Sequence, residues 1–253
     1  MRVTSQVYKL PPITEAVIGI NFENLIGKDN LSYLQEKLSQ YYPNHQPVEN
    51  LRLKVELAVG EDNKKTANTD VAEEIGHRYS TADMTELLVI FPKSIVVSQL
   101  APYPGWDPFF ERFVRDWKLL KRAPGFQPIQ RLGVRYINRI DIPCETPIIE
   151  HEEYLNIYPK ITDKFGSLMA YAVEAKVFMQ DLECMLTINS AAVPAPILNY
   201  ASFVIDQDIS RETNIPQKDD DIFALIQKIR VRKNEVFESC VTDRARAIFR
   251  HDQ

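Results

Sequence analysis

The chain reads as an α+β protein in which an antiparallel sheet carries its helices on one face. Three observations predict this. Segments with period-two apolar alternation come in runs, each run is closed by an amphipathic helix, and the order of elements recurs after residue 128.

The elements follow in order. Leu10-Pro-Pro-Ile-Thr gives an extended lead-in, since the residue before a proline is held away from the helical region. Residues 16–24 form a strand with Ile18, Ile20 and Phe22 on one side. Residues 31–41 place Leu31, Leu34, Leu38 and Tyr41 at helical spacing, with Asn30 as N-cap. Residues 51–59 alternate, with Leu51, Leu53, Val55, Leu57 and Val59 inward and Arg52, Lys54 and Glu56 outward. The polar, aperiodic stretch 61–74 reads as the longest loop. Strands at 78–83, 86–91 and 94–100 come next, the last two joined tightly through Pro92-Lys93. Asp107-Pro108 then opens a helix whose Phe109, Phe110, Phe113, Val114, Trp117 and Leu120 form one stripe, ended by Pro124-Gly125.

A similar order follows: a strand over 129–142, a short helix over 150–158, strands near 168–180, 182–190 and 200–209, and a long helix from 219. Its apolar stripe is Ile222, Leu225, Ile226, Ile229, Val236, Phe237, Cys240 and Val241, with a break at Thr242-Asp243. The chain therefore divides into residues 1–127 and 128–253, two α+β halves related by internal duplication and packed as one compact unit.

Composition narrows the function classes. Thirty Lys plus Arg against thirty-five Asp plus Glu leave a net charge of -5, so nucleic-acid binding would need a local basic patch and is disfavoured. No apolar run approaches the roughly 18 residues of a membrane span, and the N-terminal residues lack a signal-peptide pattern. A cytoplasmic protein without membrane contact is expected. Cys144, Cys184 and Cys240 are odd in number and widely spaced, which argues for free buried thiols. His45, His77, His151 and His251 show no metal-binding spacing. The phosphate-cradling and nucleophile motifs Gly-x-Gly-x-x-Gly, Gly-x-x-x-x-Gly-Lys and Gly-x-Ser-x-Gly are all missing from the sequence. Neither a catalytic residue nor a cofactor is indicated.

The segment Arg131-Leu-Gly-Val-Arg-Tyr-Ile-Asn-Arg-Ile-Asp141 stands out, because alternation puts Arg131, Arg135, Arg139 and Asp141 on one face and Leu132, Val134, Tyr136 and Ile140 on the other. If helices cover the apolar side, the open face gathers Arg52, Lys54, Glu56, the three arginines, Asp141, Glu174, Lys176, Glu183, Asp206 and Asp208. Three readings stand. Opposite charges pair across the strands, with Asp206 and Asp208 as counter-ions; the arginines bind a carboxylate, a phosphate or an acidic partner; or the charged face is buried against the duplicate half or a second subunit. Tyr103-Pro-Gly-Trp106 reads as a turn that either plugs the core or lines a pocket, and the basic run Arg230, Arg232, Lys233, Arg244, Arg246 as a solvated helix face.

Leu10-Pro-Pro-Ile-Thr-Glu-Ala-Val17, Tyr103-Pro-Gly-Trp106, the Arg-Tyr-Ile-Asn-Arg-Ile-Asp segment, Val204-Ile-Asp-Gln-Asp208 and Arg232-Lys-Asn-Glu-Val-Phe-Glu238 together resemble a sporadically distributed prokaryotic protein family of unknown function. The resemblance implies an accessory or mobile-element protein. The element order of each half also resembles the duplicated TATA-box-binding-protein-like folds, an analogy of fold alone.

The expected function is a non-enzymatic binding or interaction module whose ligand-binding residues are Arg131, Arg135, Arg139, Asp206 and Asp208, engaging a protein partner, a second copy or a small anion. The alternative is an enzyme or sensor for a phosphorylated small molecule such as a nucleotide, with a divalent ion at the two aspartates.

Overall fold

Strand β1 (Ile13–Phe22) pairs antiparallel with β6 (Ile129–Pro143), placing Gly19 opposite Gly133 and Ala16 opposite Tyr136. The structure is a computed structural model describing residues 8–24, 26, 28–59, 65–122, 128–144, 149–162, 164 and 166–250, with backbone alone over 28–31, 50–59 and 65–74. Around the β1–β6 pair lie β2 (Asn44–Val59), β3 (Lys65–Ser80), β4 (Glu86–Phe91), β5 (Ser94–Leu100), β7 (Ala172–Met179), β8 (Cys184–Val193) and β9 (Tyr200–Arg211). Among the described residues these nine strands form one antiparallel sheet in the order β2-β3-β4-β5-β1-β6-β9-β8-β7. Outward from the central pair the strands run β5, β4, β3, β2 on one side and β9, β8, β7 on the other.

Helices α1 (Lys28–Leu38), α2 (Trp106–Arg122), α3 (Asp219–Cys240) and α4 (Asp243–Arg250) supply the apolar cover. Ile18 and Ile20 of β1, Val97 of β5, Leu132 and Val134 of β6 and Ile205 and Ile209 of β9 are fully buried beneath Phe109, Phe113 and Trp117 of α2 and Ile222, Ile226 and Ile229 of α3. Burying a side chain of this kind contributes roughly 1.5–3 kcal/mol, so this layer holds the helices on one face. The two long helices lie antiparallel: Trp106 Nε1 donates to Gln227 Oε1 at 3.1 Å, and Trp117 Nε1 donates to Asp219 Oδ1 at 2.9 Å. Lys121 joins Asp219 at 2.8 Å, so the end of α2 partners the acidic start of α3. Among the described residues no helix is long and apolar enough to cross a membrane.

Local expectations are revised in four places. Residues 65–74 are strand, because the register of β3 on β2 supplies their backbone hydrogen bonds without an apolar repeat. The adjoining 61–64 fall outside the described residues, as do the inward and outward assignments over 51–59. Helix α1 begins at Lys28, which puts Asn30 inside it and not at its cap. The strand expected to reach residue 83 stops at Ser80, where Asp83 Oδ1 accepts from Thr81 Oγ1 at 2.6 Å and from the Thr85 amide at 3.2 Å, organising a turn. The expected helix over 150–158 is a single 3₁₀ turn, His151–Glu153, because Leu155 forms a β-bridge with Val241 and the Asn156 amide donates to the Cys240 carbonyl at 2.8 Å.

Candidate functional site

Strand β6 presents two unlike surfaces. On the open face Arg135 forms a two-pronged pair with Asp206 of β9, Nε to Oδ1 and Nη2 to Oδ2 each at 2.7 Å. Arg131 reaches over Gly133 to Asp208 and approaches Glu212 at 3.4 Å. That path needs the glycine, since a Cβ at 133 would stand 2.8 Å from Arg131 Nη1. Arg139 donates from Nε to Asp141 at 2.9 Å and from Nη2 to the Pro194 carbonyl at 3.1 Å. Burial pushes the Asp208 carboxyl above the usual carboxylate range, against the pull of the Arg131 guanidinium. Each of the three arginines thus already holds a carboxylate.

The remaining candidates sit apart from this lattice. Glu174 and Lys176 approach each other on β7 at 3.5 Å, and Glu183 lies in the β7–β8 turn beside Arg211 at 3.3 Å. The side chains of Arg52, Lys54 and Glu56 and the whole of His251 lie outside the described residues. His45 Nε2 meets His77 Nδ1 at 3.0 Å, whereas His151 packs among Tyr158, Tyr171 and Phe203. Among the described residues no group of three His, Cys, Asp or Glu is placed to hold a metal ion. Cys184 and Cys240 are buried free thiols and Cys144 is half-buried.

On its opposite face β6 lends Tyr136 and Asn138 to a pocket of about 370 Å³. The lead-in supplies Tyr8, Pro11, Pro12 and Ile13 to its wall; the turn before α2 supplies Tyr103, Pro104, Gly105 and Trp106. Helix α3 closes it with Arg230, Lys233, Phe237 and Glu238. Gly105 sits at φ 107°, a conformation side chains rarely adopt, so this turn depends on glycine. Four of the five segments singled out in the sequence therefore meet at one cavity.

Three donors face this cavity without a conventional acceptor. Lys233 is only 8% exposed, and its Nζ stands 3.7 Å from the centroid of the Tyr136 ring. Among the described residues it has no hydrogen-bond or ion-pair partner. Desolvation, helped by the charge of Arg230 and opposed by that of Glu238, pushes its amine down to about 7. Arg230 likewise rests on a ring, 5.4 Å from the centroid of Trp106, with no carboxylate partner among the described residues. Tyr103 and Tyr136 share one hydroxyl–hydroxyl hydrogen bond of 2.9 Å, which leaves one O–H unused. Burial pushes the Tyr103 hydroxyl up to about 12 and that of Tyr136 higher still, so both stay protonated.

Glu238 does not neutralise the two cations. Its Oε1 accepts from the Tyr8 hydroxyl at 2.7 Å, and its Oε2 accepts from Arg246 Nε at 2.7 Å. The cavity thus pairs an aromatic and proline-rich wall with donors of positive charge, a composition that complements an anionic or carbonyl oxygen.

Reading residues 230–246 as a solvated basic face misplaces Lys233, which is buried. The sequence held the signal. The stripe of α3 runs Ile229, then Val236 and Phe237, and position 233 is the helical step between them. A lysine at a core position was the clue.

No family model and no curated protein matches the chain. Among solved structures, the S. pombe Pct1 RNA triphosphatase in complex with the Spt5 CTD aligns at 11% identity over 98% of this chain and 88% of that one, with a TM-score of 0.13. So low a score carries no argument about fold or function.

Proposed function

We propose that the chain is a small-molecule binding module whose ligand, a flat body with an anionic group, sits in the cavity between β6, α3 and the Tyr103-Pro-Gly-Trp106 turn. One observation carries this reading: Lys233 is buried at the cavity wall without a hydrogen-bond or ion-pair partner among the described residues. A buried cation normally has a partner, so a missing acceptor is supplied from outside the chain. The resemblance to a sporadically distributed prokaryotic family fits the same reading, because four of the five segments that carry it line this cavity. In this reading the arginines at 131, 135 and 139 are structural, their guanidinium groups being engaged by Asp208, Asp206 and Asp141.

Thermal-shift titration with a panel of small aromatic carboxylates and phosphates tests the proposal. A stabilisation that grows with ligand concentration is expected, and it should be lost in Arg230→Ala and retained in Arg139→Ala. The proposal fails if no anion of the panel stabilises the protein at millimolar concentration, or if Arg139→Ala abolishes the effect and Arg230→Ala does not.

A protein partner, or a second copy, is a separate reading favoured by the edge of the sheet. Strand β7 ends the sheet order, and its Val177 and Phe178 are 49% and 56% exposed. Such an edge offers unpaired backbone groups to another strand. Light scattering over a dilution series checks it: Phe178→Lys should remove any association seen with the unaltered protein.

A further inference from the structure

We infer that Lys233 is a nucleophile that captures the carbonyl group of a small anionic aldehyde or ketone as an imine. This deepens the small-molecule reading above and rests on it. The geometry supplies each part. The amine is buried at the cavity wall, against the Tyr136 ring, and no carboxylate holds it as an ammonium, since both oxygens of Glu238 are already taken by Tyr8 and Arg246. Its lone pair is available near neutral pH because burial and the charge of Arg230 disfavour the protonated form. The unused O–H of the Tyr103–Tyr136 pair is a donor for the carbonyl oxygen, and Arg230 is the counter-charge for the anionic end of the ligand.

The step balances without an oxidant or a reductant. The Lys233 nitrogen pair attacks the carbonyl carbon, a C–N bond forms, and the π pair moves onto oxygen. One N–H proton passes to that oxygen to give a carbinolamine. Loss of the hydroxyl group together with the second N–H proton leaves C=N and releases one water. Oxo acids and formyl-substituted aromatic carboxylates both join a carbonyl carbon to a negative charge, as this cavity of about 370 Å³ joins an amine to a guanidinium.

The test uses the whole chain with 4-formylbenzoate as probe and sodium cyanoborohydride to fix any imine, followed by peptide mapping. A single adduct on Lys233 is expected at pH 7, formed about tenfold or more faster than on exposed lysines such as Lys118 and Lys228. Lys233→Met should lose that adduct, but the mapping of the unaltered protein decides the question even if the variant folds poorly. In parallel, 4-methylbenzoate, which has the ring and the carboxylate without the carbonyl, is titrated against the fluorescence of Trp106, in a Trp117→Phe background that leaves one tryptophan. If 4-methylbenzoate binds and 4-formylbenzoate labels lysines without preference for Lys233, the nucleophile is overturned and the binding cavity stands. If neither compound perturbs Trp106 and no preferred adduct forms, both readings fall.

Discussion

Lys233 has surroundings unusual for a lysine: it is buried against a ring, without a hydrogen-bond or ion-pair partner among the described residues. A lysine amine ordinarily titrates near 10.4, and holding it in a desolvated position carries a cost on the order of a few kcal/mol while it is charged. The sign of the resulting pH dependence follows from proton counts. Between about 7 and the unfolded value the unfolded chain keeps the proton that the folded chain has lost, so stability rises with pH across that window. Replacing the side chain by methionine removes both the burial cost and its titration. Lys233→Met is therefore expected to exceed the unaltered protein in stability most at pH 6, with the gap narrowing toward pH 9. Urea denaturation at the two values checks this. A gap that stays constant means that the amine keeps an ordinary pKa. The comparison between the two proteins cancels the tyrosines at 8, 42, 103 and 136, whose raised values act only at higher pH.

At the scale of elements, β6 shows what alternation can and cannot tell. Its two faces were legible residue by residue: Leu132, Val134, Tyr136 and Ile140 are buried and the arginines lie on the open side. Which face keeps unpaired cations among the described residues was not legible, because that depends on partners brought in from β9 and α3. Asp206 and Asp208 do meet the arginines, through a β6–β9 register that places Arg135 opposite Asp208. The register also makes the ion pairs unequal. Asp206 has 11% of its side chain exposed beside Arg135, whereas Asp141 has 37% beside Arg139. Arg135→Ala should thus cost about 1–3 kcal/mol by stranding a buried carboxylate, and Arg139→Ala less than about 1 kcal/mol. A double variant that also changes Asp206 to Asn should recover part of the larger loss. Equal costs at 135 and 139 would show that burial of the carboxylate is not what matters. The strand over 65–74 was illegible for a related reason: its pairing with β2 is a property of register, and no apolar repeat announces it.

The whole molecule is organised around the central β1–β6 pair, which joins the described strands before residue 122 to those after 128 in one continuous sheet. Element order and the alternating helix face were readable along the chain because each depends on neighbours a few residues away. The cavity was not. Tyr8 and Glu238 are 230 positions apart, and nothing in their local sequence pairs them. Since the sheet is unbroken and α2 packs along α3, unfolding is expected as a single transition, with tryptophan fluorescence and far-UV circular dichroism coinciding. Two separated transitions would mean that the segments on either side of residues 123–127 fold independently. The contact of the first described residues with the last helix adds a mechanical property. Tyr8 packs edge-on against Phe249 with centroids 5.3 Å apart, and the Leu10 amide donates to the Phe249 carbonyl. Tension applied between Tyr8 and α4 therefore bears on the Tyr8 bond to Glu238, at the rim of the cavity. On the reading proposed above, a ligand seated there would act as a clasp on the seam and raise the force at which it opens.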